Sequence, residues 1–537
     1  MGMRDIITKT TALAFKFLLS AGVFLCTGCH NRISTQGNNT LRIAMSHDPI
    51  SLDPRSASLS KDLSLAYALY EGLLRDNAGE LVNGIAEKYT VSQDGTTYLF
   101  FLKQVQWSNG DEITAYDFEE SIKQIYQKEV VCSSSTLPLM IKNAQEVMNH
   151  QLPIDSLGIR AIDNHTLEII LEKPQSCFLN TVAHPVFFPV HKTLRDYYTT
   201  GKSITLPITN GPFIISNYQP QNQLILKKNP LYHDRDNVSL NTIVFQIVPD
   251  SYTATQMLQK DLIDWIGSPW SSPISKEDQM HISEEKFHSY PVLGTMALIC
   301  NLNTSPLYNL ALRRALSYAI DKASLLQFIN NCEVAESFLP CNLSRYNDYP
   351  KLTTEERRKK AQFYFKEAEK TLSSKQISEL SIIYPLESGA LNAIIQEIQQ
   401  QIKNVLGIHI NIQGMEYHCF VEKRNRGDFS LATGKWMADY PQPSSFLAIL
   451  GNLKQDQPTQ SLTKWDNPEY NNLLCKLYFS RGDENDQRNA EHLIAEDLPI
   501  IPLYHFKYSY AINPKINNLY ESALGYIDIK RLEIVRE

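Results

Sequence analysis

Apolar positions along this chain switch repeatedly between two spacings. Between residues 390 and 406 they fall at Ala390, Leu391, Ile394, Ile395, Ile398, Ile402, Val405 and Leu406, the spacing of one helical face. Gly407 ends that run, as a glycine commonly ends a helix. Ile408, Ile410 and Ile412 then alternate, so the pattern predicts a helix followed at once by a strand. A second helical face carries Leu307, Leu310, Ala311, Ala315, Leu316, Ala319 and Ile320, with Asn303-Thr304-Ser305-Pro306 as its predicted cap. Short apolar runs at 167–171 and 243–248 predict buried strands. Such switching, without an internal repeat, is the signature of mixed α/β architecture.

At 537 residues the chain exceeds what one core usually supports, so two or three domains are expected. Polar breaks near 72–84, 200–211 and 290–305 are the candidate joints. The net charge of -7 comes with Lys and Arg spread along the chain, which argues against nucleic acid as a partner. Arg4, Lys9 and Lys16 precede an apolar run at 17–25 that is too short to span a bilayer and reads as the core of a signal peptide. The run leads into Cys26-Thr27-Gly28-Cys29, where a small pair precedes a cysteine. Cleavage there would leave Cys29 as a lipidated first residue, although Leu25 stands one place earlier than that pattern prefers. Residues 30–40 are polar and read as a tether.

Seven further cysteines (132, 177, 300, 332, 341, 419 and 475) match no zinc spacing and are too sparse for a disulfide framework. Most read as unpaired thiols, with a Cys332–Cys341 loop left open. The histidines are too irregularly spaced to bind a metal. Thr200-Gly201-Lys202-Ser203 ends like a phosphate-binding loop, but Asp196 occupies the place of its leading glycine. Gly-x-Ser-x-Gly and His-Glu-x-x-His are absent, so no catalytic residue, no cofactor and no enzyme activity is expected.

Six blocks in order carry a resemblance. They are Pro49-Ile50-Ser51-Leu52-Asp53-Pro54 with Tyr70-Glu71-Gly72; Gly84-Ile85-Ala86-Glu87 through Trp107-Ser108-Asn109-Gly110-Asp111 to Phe118; and Asn210-Gly211-Pro212-Phe213 with Lys228-Asn229-Pro230-Leu231-Tyr232. The others are Arg313-Arg314-Ala315-Leu316 through Lys322; Trp436-Met437-Ala438-Asp439-Tyr440-Pro441; and Ala495-Glu496-Asp497-Leu498-Pro499 through Tyr504. From about Leu41 to about Phe506 the chain resembles the substrate-binding proteins of dipeptide and oligopeptide ABC importers. The resemblance implies a two-lobed periplasmic-binding-protein fold (type II, three-domain cluster C) with a discontinuous first lobe. The implied division is a signal peptide at 1–28, a lipidated tether at 29–40, lobe I at 41–71, 201–293 and 507–537, an extra domain at 72–200, and lobe II at 294–506. Arg313 is expected to be a satisfied interdomain or helix-end charge. The implied protein is a monomer, lipid-anchored at the periplasmic face of the cell membrane. It would capture short peptides and pass them to the permease and ATPase subunits of an importer. Other ligands that the fold accommodates are murein peptide, a metal chelate or haem, and a surface peptidase is the reading from a different class.

A site that accepts many peptides must grip their common parts, namely the ammonium, the carboxylate and the backbone. By resemblance Asp439 is the anchor for the α-ammonium, the rival role being a turn residue before Pro441. Trp436, Tyr440 and Tyr417 are the candidate groove aromatics, Tyr417 standing where oligopeptide-binding relatives carry a Trp. Ser58 is expected to offer backbone to the peptide. Thr433 replaces an Arg that meets the ligand carboxylate in tripeptide-binding relatives; Arg424 is the first candidate substitute, with Arg426 and Lys435 behind it.

Overall fold

The computed structural model describes residues 39–127, 137–200, 206–346, 348–386, 389–453, 461–479 and 482–535. The expected signal peptide, Cys29, most of the tether, Cys132 and residues 201–203 lie outside them. By its contacts the chain divides into Met1–Thr40 and Leu41–Glu537, and the second unit carries the sheets and cores below.

An 11-stranded sheet is built on two long antiparallel strands, Phe287–Cys300 and Ile500–Ile512. Their pairing runs in two stretches, 287–291 against 507–511 and 295–299 against 500–505, with the register shifting between Pro291 and Thr295. One flank attaches at residues 294–300 through Leu431–Met437, followed by Ser381–Pro385 and Asn411–Met415. The other attaches at residues 510–512 through Trp265–Gly267, followed by Thr40–Met45, Thr242–Ile247, Gln223–Lys228 and Phe213–Gln219. The flanks therefore use opposite ends of the long pair, which is the element common to both lobes. The fold is two-lobed α/β, and the first lobe draws on early, middle and late segments of the chain.

Separate cores stabilise these bodies. Trp265, Trp270, Tyr290 and Tyr510 centre one. In the other lobe, strand alternation sends Leu298 and Leu431 into a core with Leu316, Ile394 and Ile398, and Ala297, Ile299 and Ala432 into a core with Phe338, Phe420 and Phe446. A third body has a four-stranded sheet, ordered Ala86–Val91, Thr97–Leu102, Thr166–Ile170 and Ile159–Asp163. It packs around Trp107, Phe118 and Phe178.

The apolar face expected at 390–406 forms the helix Gly389–Leu406, which buries Leu391, Ile394, Ile395, Ile398, Ile402 and Leu406 and meets Gly407 at φ +73. The following strand starts later than its alternation suggests, at Asn411, where parallel pairing with Ser381 begins. The helix expected after 303–306 also starts later, at Leu310. Asn309 supplies its cap by accepting the Leu312 N–H at 2.9 Å. Arg313 donates to the carbonyls of Leu307, Asp497 and Leu498, so it closes the C-terminal end of the helix Glu484–Asp497. Cys332 and Cys341 are both free thiols. Among the described residues no helix is long and apolar enough to cross a membrane.

Candidate ligand-binding site

The strand Leu431–Met437 has an incomplete ladder. It pairs with Phe287–Cys300 along its whole length, from Gly294↔Met437 to Cys300↔Leu431. On its other side Ser381–Pro385 meets it only at Leu431 and Ala432. Beyond Ala432 that side of the strand has no neighbouring strand among the described residues. The Ala438 N–H donates to the Leu293 carbonyl at 2.9 Å; alternation then turns the main chain of Trp436 and Gly434 the same way, and that of Lys435 and Met437 toward the open side. Close packing fixes this strand against its neighbour, since a Cβ on Gly294 would fall 2.3 Å from Met437 Sδ and one on Gly434 would fall 2.7 Å from Ile299 Cδ1.

Asp439 follows the open edge directly. It is half-buried, and its N–H donates to Ser445 Oγ at 3.1 Å. Its charge contributes, after burial and Cys177, to the raised pKa of the Tyr478 hydroxyl, so the carboxylate lies in the same neighbourhood as that phenol. Tyr440 is placed differently from its expected groove position. It is 4% exposed and packs in the core of the third body with Phe178 and Val182. Burial first, and then Cys177 and Tyr478, push its hydroxyl up. Gln442 donates to Asn180 at 3.0 Å, and the Ser176 N–H donates to the Tyr478 carbonyl at 3.3 Å. Tyr440 and Gln442 therefore fasten the Asp439 loop to residues 176–180.

Tyr417 and Arg424 lie on one helix, and Trp436 packs against the same large core as that helix's Phe420. Trp436 is half-buried against the core that contains Phe420, and its indole N–H is buried with no acceptor among the described residues. The helix Tyr417–Arg426 starts on Glu416, which accepts the Cys419 N–H at 3.1 Å. This presents Tyr417 at 48% exposure. Arg424 lies over the Phe420 ring at 5.3 Å, and its Nε is buried with no partner among the described residues. Burial lowers its pKa, with Tyr417 opposing. Lys435 points to the opposite strand face, 5.1 Å from the Phe506 ring. Its side chain reaches solvent, yet the surrounding protein desolvates the ammonium and lowers its pKa. Arg426 pairs with Asp428 at 3.0 Å on the surface, and Thr433 is buried at 4%.

Ser58 is exposed, and its N–H donates to no described group. Its neighbours Ala57 (φ -70, ψ 114) and Leu59 (φ -90, ψ 148) are extended. The stretch is rooted by the buried pair Arg55–Asp53 at 2.7 Å, while Arg55 also donates to the Ser121 carbonyl and Gln124. A chain of contacts runs from Ser58's neighbourhood to the Asp439 strand. Ser60 Oγ meets the Tyr508 hydroxyl at 2.9 Å, a Cβ on Gly525 would fall 2.6 Å from Tyr508, and the Leu293 N–H donates to Ala523 at 2.7 Å. Sequence reasoning named the side chains of this region but missed the bare main chain at Lys435 and Met437, which no residue type announces.

Two lobes sharing one pair of long strands, with a third body attached and an open strand edge where they meet, define the two-lobed class of binding proteins. The model of the bacterial extracellular solute-binding proteins, family 5, matches residues 80–457, and the chain belongs to that family. It is similar to the dipeptide-binding protein DppE of Bacillus subtilis, 26% identical over 519 residues that cover 94% of this chain and 93% of the relative. It is also similar to the periplasmic murein peptide-binding protein MppA of Escherichia coli, 26% identical over 483 residues, 87% and 88% of the two chains. Among solved structures, the Escherichia coli murein tripeptide binding protein MppA superposes with a TM-score of 0.73 at 25% identity, covering 93% of this chain and 99% of that one. An oligopeptide-binding protein of Borrelia burgdorferi gives 0.72 at 24% identity, covering 93% and 100%.

Proposed function

We propose that the protein captures short peptides between its lobes and delivers them to the permease and ATPase subunits of an ABC importer. It would act as a monomer held by a lipid on Cys29 at the periplasmic face of the cell membrane, and it would perform no chemistry on its ligand. The observation that carries this reading is the open edge of Leu431–Met437 ending at Asp439. An extended peptide completes such an edge through main-chain hydrogen bonds that ignore side-chain identity, and a carboxylate at its end sets the register by pairing with the α-ammonium. Ser58 and the extended residues beside it offer a second backbone from the other lobe. Trp436 and Tyr417 line the groove, Arg424 meets carboxylate, and Tyr440 holds the Asp439 loop in place. The names of the relatives, which include dipeptide, oligopeptide and murein peptide binding, agree with a peptide ligand.

In this reading lobe I comprises 41–71, 201–293 and 507–537, the extra domain 72–200, and lobe II 294–506. The register shift between Pro291 and Thr295 supports a joint at 294. Closure removes water from the Asp439 pair and strengthens it. Native mass spectrometry of freshly purified protein, followed by calorimetry with alanine peptides of two to eight residues, tests the function. Intact co-purified peptides and measurable affinity for the free peptides are expected. Haem, a metal chelate or cleaved peptides in the bound fraction, with no affinity for any peptide, would overturn it.

A further inference from the structure

A cavity of about 300 Å³ opens among the helices Leu310–Ala319, Thr354–Glu369 and Glu484–Asp497, with Ile500 and Pro502 of the long strand also lining it. None of the residues assigned above to the peptide site lines it. It has room for about ten water molecules, the small end of the range for ligand pockets. Two tyrosine pairs face it: Tyr318 and Tyr364 stack at 5.8 Å with planes 5° apart, and Tyr346 meets Tyr349 edge-on at 4.9 Å. Phe338 and Ile494, both buried, add apolar lining.

The cations of this cavity outnumber the carboxylates within their reach. Lys322 and Arg357 share Glu336, at 3.2 and 3.5 Å. Arg314 has no ion pair among the described residues; it lies over the Tyr364 ring at 5.6 Å and donates to the Glu496 carbonyl at 3.0 Å. Arg357 Nη2 donates to the Ile320 carbonyl at 3.0 Å, but Nε is a buried donor with no partner among the described residues. The remaining acids of the lining, Asp348 and Glu496, are exposed, and each faces a basic side chain of its own, Arg488 at 3.1 Å and His492 at 3.7 Å. A desolvated guanidinium donor among surplus cations favours a carboxylate, and aromatic faces and edges favour a flat ring. We propose that this cavity is a second binding site, for a small aromatic carboxylate whose acid group accepts from Arg357 Nε and whose ring packs among the tyrosines. Such a site needs no peptide between the lobes and stands whether or not one binds there.

The test is calorimetry of the whole protein at pH 7 with 4-hydroxyphenylacetate, against tyramine, which keeps the ring but carries an ammonium, and acetate, which keeps the acid without the ring. The aromatic acid is expected to bind with a Kd between about 10 μM and 1 mM, and both controls at least about tenfold more weakly. Arg357→Gln, which removes the donor, and Ser317→Phe, which fills part of the cavity, are each expected to weaken the aromatic acid at least about tenfold. In the unaltered protein the aromatic acid should slow amide hydrogen exchange in the helices Thr354–Glu369 and Glu484–Asp497 and leave residues 431–439 unchanged. No binding at 4-hydroxyphenylacetate concentrations up to about 10 mM overturns the site, and equal affinity for tyramine or acetate overturns the ligand class. Protection confined to 431–439, or affinity untouched by both variants, places the ligand elsewhere and overturns the assignment to this cavity. The three-probe comparison and the exchange map decide the question even if a variant does not fold.

Discussion

The pair Asp53–Arg55 roots the stretch around Ser58 that is proposed to meet the ligand, and its energetics follow from its geometry. The two side chains are 1% and 0% exposed. Arg55 Nε donates to Asp53 Oδ1 at 3.0 Å and Nη2 to Oδ2 at 2.7 Å. Nη1 reaches the third body at the Ser121 carbonyl, 3.0 Å, and at Gln124 Oε1, 2.9 Å. Arg55→Met removes the cation and leaves the Asp53 carboxylate buried with the Arg55 backbone N–H at 2.9 Å as its remaining donor among the described residues. Breaking a buried pair on one side costs about 3–5 kcal/mol, because the surviving charge loses its compensation. Asp53→Asn strands the guanidinium in the same way. The double variant buries no charge, so its cost is expected to fall short of the sum of the single costs by about 2 kcal/mol or more. Urea unfolding of the four proteins at pH 7 measures this coupling. Costs that add to within about 0.5 kcal/mol would refute the view that charge compensation, rather than packing volume, holds this loop. Both single variants are also expected to weaken peptide capture, since the extended residues around Ser58 follow the pair directly in the chain.

Asp439→Ala is expected to weaken peptide binding by roughly 2–5 kcal/mol, read by calorimetry; less than a tenfold change would count against the ammonium anchor. Gly211→Ala places a Cβ 2.4 Å from the Leu69 carbonyl carbon and 2.5 Å from the Tyr70 nitrogen. Both are backbone atoms with little room to retreat, so a loss of about 1–3 kcal/mol is expected in thermal unfolding, and an unchanged midpoint would contradict it. Burial holds His184 at about 4, and burial with the charge of Lys322 holds His505 at about 4. The unfolded chain takes up these protons first, so stability present above pH 6.5 is lost as pH falls toward 4, by about 3 kcal/mol per histidine for the full shift. His505→Gln should flatten that slope in urea titrations between pH 7 and 5, and an unaltered slope would exclude His505 as its source. Burial raises the Glu71 carboxyl, but the His233 hydrogen bond and the Arg75, His233 and Lys530 charges override it and hold it at about 2. A further acid loss is therefore expected between about pH 4.5 and 2, and Glu71→Gln should remove it.

Local periodicity read the helix at 389–406 and the strands near 167 and 243 well, because each buries one face against a core and that face is written in the residue types. It placed the strand after Gly407 too early because Ile410 is fully buried in a connecting segment, where apolarity reflects depth rather than pairing. The cap of the helix at 310 was misplaced for a related reason: Asn303 and Asn309 are equally good capping residues, and only tertiary position chooses between them. Asp439, Trp436 and Arg424 were named from a motif and from residue chemistry, and their role as ligand residues is part of the proposal. The burial of Tyr440 was not legible, because the core it joins includes residues such as Phe178 that lie far away in sequence. The open edge was invisible for a deeper reason: it arises from where a neighbouring strand stops, and no side chain records that.

The strand Ile500–Ile512 lies between Phe287–Cys300 and Trp265–Gly267, so a piece of the middle of the largest sheet is synthesised well after both of the strands it joins. Until it emerges, those earlier strands present bare edges to any sticky neighbour, and the two halves of the molecule have no common seam. The large sheet therefore cannot close until residues 500–512 are available to pair with both neighbours.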